Sequence, residues 1–272
     1  MSVIYLDPHG PRRPARRSDA SPLKAVAMAC GFALSIIVGI ASVTGGGSPL
    51  ARLIGQGPRP AADDPRAYAF MRETAGGVPV TWDPCLHIRL VVNSRFAPQG
   101  ADVLLAEAVE RVNAASGLTL EVVGPTTEEP DPQQTQRELA LGRPGGSRAP
   151  VLVAWTTPDV MPKLKGSTIG LGGPIYRYGD SMDRAKYIGG VVTFDSPAMA
   201  QVLRGPDGHA MARAIVMHEL GHLVGLNHVD NTSQVMAPSA HHGVYEFAAG
   251  DRAGLARLGS GGCPYDTGEP SG

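Results

Sequence analysis

Apolar and polar residues alternate along this chain in distinct patterns, and each pattern predicts a different kind of element. Short apolar runs of strand length stand at Ile88–Asn93, Leu118–Val123, Val151–Trp155 and Gly189–Asp195. A helical rhythm puts Val103, Leu104, Ala108, Val112 and Ala115 on one stripe, which predicts a helix over 101–116 that Gly117 stops. Ser196-Pro197 predicts a short helix, with Ser as its N-cap and Pro at its first position. A longer helix is expected from Asp207 or Gly208 to about Val224. The polar, Pro-rich stretch 124–149 reads as an exposed loop or a short helix around Gln133–Leu141. Residues 158–188, with many glycines, read as a long surface segment. The order strand, helix, strand, strand, strand, helix predicts an α+β domain with a twisted mixed β-sheet. No internal repeat is present.

A further pattern is unbroken. Ala25 to Val43 holds 19 residues without a charge, close to the ~20 needed to cross a bilayer core. Ahead of it, residues 1–24 place Arg12, Arg13, Arg16, Arg17 and Lys24 against Asp7 and Asp19. That bias predicts a cytoplasmic N-terminus and an external C-terminal bulk. The run and its leader are both longer than a cleaved signal peptide needs. An uncleaved signal anchor over 25–44 is therefore favoured, with secretion after cleavage at Ala41 left open. Gly45-Gly46-Gly47-Ser48-Pro49 and Gly57-Pro58-Arg59-Pro60 make residues 45–75 a solvated linker. The remaining chain divides into a domain over 76–263 and a tail over 264–272.

Composition narrows the function. The chain has 272 residues, room for one good-sized domain plus appendages. With 24 Lys+Arg against 25 Asp+Glu, the net charge of −1 gives no electrostatic case for nucleic acid. Of three cysteines, Cys30 lies in the apolar run, whereas Cys85 and Cys263 flank the domain. In an oxidising compartment Cys85 and Cys263 are expected to pair, which contributes up to about 5 kcal/mol in the chain-entropy description. Asp159, Asp180 and Asp183 offer oxygen ligands of the kind Ca²⁺ takes, although solvated loop charges are the simpler reading.

The chemistry concentrates in His218-Glu219-Leu220-Gly221-His222-Leu223-Val224-Gly225-Leu226-Asn227-His228. On a helix, His218 and His222 share one face and can offer two imidazole nitrogens to a single ion. Glu219 sits beside them, placed for a general base rather than for a third ligand. Gly225 can take positive φ, end the helix and let His228 return to the metal.

This motif resembles that of the metzincin metalloproteases, most closely the matrixin-like group. Val235-Met236-Ala237-Pro238 looks like the family's Met-turn, which implies that Met236 forms an apolar floor beneath the metal and Pro238 helps wall the substrate pocket. Gly250–Gly259, with Leu255 and Leu258 on one face, resembles the family's C-terminal helix. The resemblance also implies an antiparallel edge strand near 189–194 along which extended peptide binds. The chain departs from the family in four ways. It lacks the latency cysteine motif, and it has no histidine between His87 and His209 for a second, structural zinc. Val229 follows the third histidine, and Pro238 stands where some members carry Tyr, two residues beyond the methionine.

The resulting expectation is a zinc-dependent metalloendopeptidase that hydrolyses peptide bonds of extracytoplasmic proteins through a zinc-activated water. Neutral imidazole ligands imply zinc loss as the pH falls well below the ordinary histidine value of about 6.5. Two other readings stay open. One is a non-catalytic zinc-stapled interaction domain, with Asp230, His241 or His242 as a fourth ligand. The other is an envelope amidase acting on peptidoglycan peptides.

Overall fold

The computed structural model describes residues 63–132, 149–177 and 185–261. In chain order the elements are β1 (Ala69–Phe70), β2 (Ile88–Asn93), α1 (Ala101–Ser116), β3 (Leu120–Pro125), β4 (Val151–Thr156), β5 (Gly170–Arg177) and β6 (Lys186–Asp195), then α2 (Ser196–Leu203), α3 (Gly208–Val224), β7 (Leu226–Asn227) and α4 (Ala249–Gly259). Five strands form one mixed sheet in the order β3-β2-β4-β6-β5. The first four run parallel, and β5 runs antiparallel to β6. The molecule is thus α+β, as the order of apolar runs implies.

Two-sided burial explains why β4 and β6 read as unbroken apolar runs. On one face Trp155 stacks on Phe194 at 4.7 Å, within the core shared with α1 and α3. On the other, Leu152, Ala154 and Val191 form a separate small cluster. Helix α1 occupies its expected span, but its buried stripe is rotated: Leu105 is inside and Val103 is 47% exposed. Strand β3 begins two residues later than expected. The cap of α2 is Asp195 rather than Ser196, its carboxylate accepting the Ala198 N–H at 3.1 Å.

Two larger corrections bear on the site. The segment 189–194 is not the sheet edge: β6 is enclosed between β4 and β5. The antiparallel edge strand is β5, inside the 158–188 stretch read as surface segment, and all its residues but Arg177 are buried. Glycines that look like loop signals are there because β5 lies against α3. The domain also starts earlier than residue 76. Residues 63–75, read as linker, lie along it: β1 pairs with β7, and Asp63 accepts the Ala249 N–H at 2.7 Å at the start of α4.

Several expectations fall outside the described residues. They are the basic leader, the apolar run 25–43, most of the linker, the Gln133–Leu141 helix, Asp180, Asp183, Cys263 and the tail. No helix among the described residues is long and apolar enough to cross a membrane. Asp159 is exposed, and among the described residues no carboxylate cluster of three gathers round a common point.

Candidate metal centre

Helix α3 is buried along nearly its whole length from Met211 to Val224. Its His218, Glu219 and His222 are therefore buried too, at 1%, 0% and 0% exposure, and polar groups so placed need partners. His218 and His222 share one helix face, their rings edge to face at 4.5 Å. Gly225 closes the helix at φ 122° and its N–H donates to the carbonyls of Gly221 and His222. The chain then turns back as β7, and His228 reaches the two rings from outside the helix. Its Nε2 lies 3.1 Å from that of His218 and 3.2 Å from that of His222.

The other ring nitrogens settle the tautomers of the helical pair. His218 Nδ1 lies 2.7 Å from the Val235 carbonyl, and His222 Nδ1 lies 2.8 Å from the Leu226 carbonyl. A carbonyl only accepts, so each Nδ1 carries the proton and each Nε2 turns a lone pair inward. Three nitrogens converge with at most one proton among them, from His228. That is repulsive without a cation and favourable with one. A tetrahedral ion with bonds of ~2.0–2.1 Å to nitrogen spaces its ligands ~3.3 Å apart, so the donor set fits zinc. Burial, with His228 adding to it, pushes His218 down to about 3. Burial likewise holds His228 at about 4, against the opposing charge of Asp230. Burial and the two neighbouring imidazoles hold His222 well below its ordinary value. All three ligands are neutral at pH 7.

Glu219 projects from α3 towards β5, where its carboxyl lies against Gly170. Neither carboxylate oxygen has a hydrogen-bond partner. Burial raises its pKa to about 8, with the nearby Gly172 N–H pulling the other way.

The segment Val235-Met236-Ala237-Pro238 packs against the same helix. Met236 is 1% exposed, and its Sδ packs against Gly221 on α3. What holds this turn has no local signature along the chain. Asp251, on α4, accepts from the N–H groups of Val235 (2.7 Å), Met236 (3.2 Å) and Ala248 (3.1 Å). Gln234 accepts the Asp251 N–H at 2.9 Å and donates to Asp63 at 3.3 Å. Since Val235 also receives the His218 Nδ1–H, Asp251 positions a ligand at one remove. Burial raises Asp251 to about 6, with the three amide donors opposing. Asp251→Asn should lose roughly 1.5–3 kcal/mol of stability, because an amide cannot accept all three donors. Zinc affinity should fall by about tenfold with it. Denaturant titration and a chelator competition check this, and unchanged values for both would remove the brace from the site.

A second support was also missed. Residues 63–71 strap the loop that delivers His228: Ala69 and Phe70 pair with Asn227 and Leu226, and the Met71 N–H donates to the Gly225 carbonyl at 2.8 Å. The Trp82 indole N–H caps the end of α3 at the Leu223 carbonyl, 2.9 Å away.

Among the described residues, the only group of three or more potential metal ligands is His218, His222 and His228. Asp230 and His242 are exposed and outside it. His241 lines a cavity beside His218 without joining the triad. Neither Met236 nor Pro238 lines that cavity; Val235, Ser239 and Ala240 do.

Residues 171–258 match the family model described as Matrixin, a span that runs from β5 to the end of α4. Among solved structures, the chain is similar to metalloproteinase-II from Bacteroides fragilis, at 15% identity and a TM-score of 0.38. That match covers 66% of this chain and 54% of the other, so the chain spans about half its length. No curated protein sequence matches the chain.

Proposed function

We propose that this matrixin-like metzincin domain is a zinc-dependent endopeptidase acting on proteins outside the cytoplasm. The observation that carries the reading is the donor set: three neutral, buried imidazoles with no fourth protein ligand gathered round them among the described residues. A structural zinc usually takes four protein ligands, whereas three leave a position for water or substrate. When bound, Zn²⁺ supplies Lewis acidity, polarising a scissile carbonyl and lowering the pKa of a water. Glu219 takes the water's proton and returns it to the leaving amine. Burial alone raises its proton affinity, which suits the return of the proton, and a cation bound beside it would favour the ionised form that takes the proton first. The outer edge of β5, which pairs with no other described strand, offers backbone N–H and C=O groups to an extended peptide.

Incubating the full-length chain with casein and with purified peptidoglycan, and reading the products by mass spectrometry, tests the reaction. New peptide termini from casein are expected; products from peptidoglycan alone would overturn the endopeptidase reading. Anchorage through 25–43 and the Cys85–Cys263 disulfide belong to the same proposal. Of the three cysteines, only Cys30 should react with a thiol reagent in denaturant without reductant, and three reactive thiols would sink the pairing.

The pH at which zinc is lost shifts downward from the sequence expectation. A histidine whose pKa is lowered stays neutral, and so stays a ligand, to lower pH. With His218 at about 3 and His228 at about 4, zinc content should hold between pH 7 and pH 5 and fall near pH 4. Loss of half the metal by pH 6, measured after gel filtration, would contradict it.

A further inference from the structure

The outer edge of β5 changes character along its length. The Ile169 carbonyl accepts the Asp195 N–H of β6 at 2.8 Å, so the alternation of the ladder turns Gly170, Gly172 and Pro174 outward. Gly170 and Gly172 lie against Glu219. Pro174 brings a carbonyl to the edge but no N–H. The register then shifts between Ile175 and Tyr176, and β5 ends at Arg177. Backbone pairing alone therefore holds an extended peptide poorly past Pro174, and side chains have to take over there.

An arginine stands at that end. The chain after β1 folds back on itself: the Arg72 carbonyl accepts the Val80 N–H at 2.9 Å, and Glu73 bridges to Pro79. This lays Arg72 against β5, its guanidinium 4.3 Å from the centre of the Tyr176 ring. Arg72 is also close enough to Tyr187, the partner of Tyr176 on β6, to oppose the rise that burial gives that phenol. Arg72 Nε and the Tyr187 hydroxyl are both buried without a hydrogen-bond partner. A part-buried charge normally keeps an opposite charge beside it, as Arg111 and Arg213 keep Glu246. Among the described residues no carboxylate lies within ion-pair distance of Arg72. Arg177 and Lys186, which pair across the ends of β5 and β6, add further positive charge next to it.

We propose that Arg72 is a specificity-determining residue that binds a carboxylate of the substrate, so that the domain prefers peptides carrying aspartate or glutamate on one side of the cut. This rests on the peptidase reading above and adds the substrate class. The guanidinium fork matches a carboxylate with two parallel N–H donors, and the Tyr176 ring fixes the plane of the fork in advance. Tyr176 lies further along β5 than Gly172 by about 13 Å, so the acidic residue stands roughly three to five positions from the scissile bond.

Two readouts on the full-length, zinc-loaded chain test this. The first is kcat/KM for matched peptides that carry glutamate or glutamine at each position on either side of a mapped cut. At one position the glutamate peptide should be favoured at least about tenfold, Arg72→Gln should bring that ratio close to one, and added salt should narrow it. Equal rates for every pair in the wild type overturn the proposal, as does a glutamate preference that Arg72→Gln leaves intact. The comparison within the wild type decides the matter even if the variant fails to fold. The second readout needs no cleavage. It is calorimetric binding of peptide hydroxamates, built out on either side of the chelating group, with glutamate or glutamine three, four or five residues away. One acid should bind at least about tenfold more tightly than its amide. Equal binding of every acid and amide overturns the proposal, as does failure to bind any of them. Acid-selective binding with no cleavage of any peptide would retain the role of Arg72 and reject the peptidase reading, and cleavage without selectivity would do the reverse.

Discussion

Glu219→Gln should abolish proteolysis while leaving the zinc and the fold in place. The side chains have the same shape, and the carboxyl makes no hydrogen bond that glutamine would lose. A positioned general base contributes ~10²–10⁴-fold, so cleavage should fall by at least a hundredfold. The effect on stability has a definite sign. The folded-state pKa of Glu219 is raised to about 8 from 4.5 by burial. Its contribution is fully present below about pH 4.5 and is lost as the pH rises through about 8. The metal-free wild type should therefore weaken between about pH 4.5 and pH 8 relative to Glu219→Gln, in which that titration is absent. Cleavage above a tenth of the wild-type rate, or loss of zinc from the variant, would remove Glu219 from the role of base.

Gly172→Ala should disrupt the fold where the edge strand meets the metal-bearing helix. A Cβ at Gly172 would lie 2.4 Å from the Glu219 carbonyl oxygen, 3.0 Å from its C and 3.1 Å from its Cα. These are backbone atoms of a buried helix and cannot give way locally, so β5 and α3 must separate. Overpacking of this kind costs about 1–3 kcal/mol, and a displacement near 1 Å at a reacting centre can cost ~10²-fold in rate. Gly170→Ala makes the informative contrast. Its Cβ would meet the Glu219 side chain instead, at 2.6 Å from Cγ and Oε1. That side chain can move, so Gly170→Ala should retain most of its stability while losing activity. Denaturation midpoints and casein cleavage, measured on both variants, separate the two effects. A wild-type midpoint for Gly172→Ala would mean that β5 does not lie against α3 as described.

The pattern of apolar residues shows where the fold was legible and where it was not. Strand β2 and the span of helix α1 follow from periodicity, because each answers to its own buried stripe or run, whereas α3, buried nearly all round, is placed by its histidine spacing and terminal glycine. Strand β5 was hidden because the feature that makes it a strand here is a tertiary one. Gly170 and Gly172 are required by the closeness of Glu219, and in one dimension that requirement looks like a loop. The interior position of β6 was hidden for a related reason, since burial on both faces is the same for a central strand as for one covered at the edge. At the site, the histidine spacing displays the converging nitrogens because a helix and one glycine turn fix their placement. The brace from Asp251 and the strap over 63–71 are long-range contacts between segments with no local signature. Asp251 resembles any acid in the first turn of a helix until Val235 and Met236 are seen to donate to it.

The most direct test of the central claim is casein cleavage by the full-length chain before and after zinc removal with 1,10-phenanthroline, followed by stoichiometric zinc. The expected result is complete loss of cleavage on removal and its return with one equivalent of zinc per chain. Cleavage that persists in metal-free protein, or a chain that takes up one zinc and cuts nothing, would contradict it.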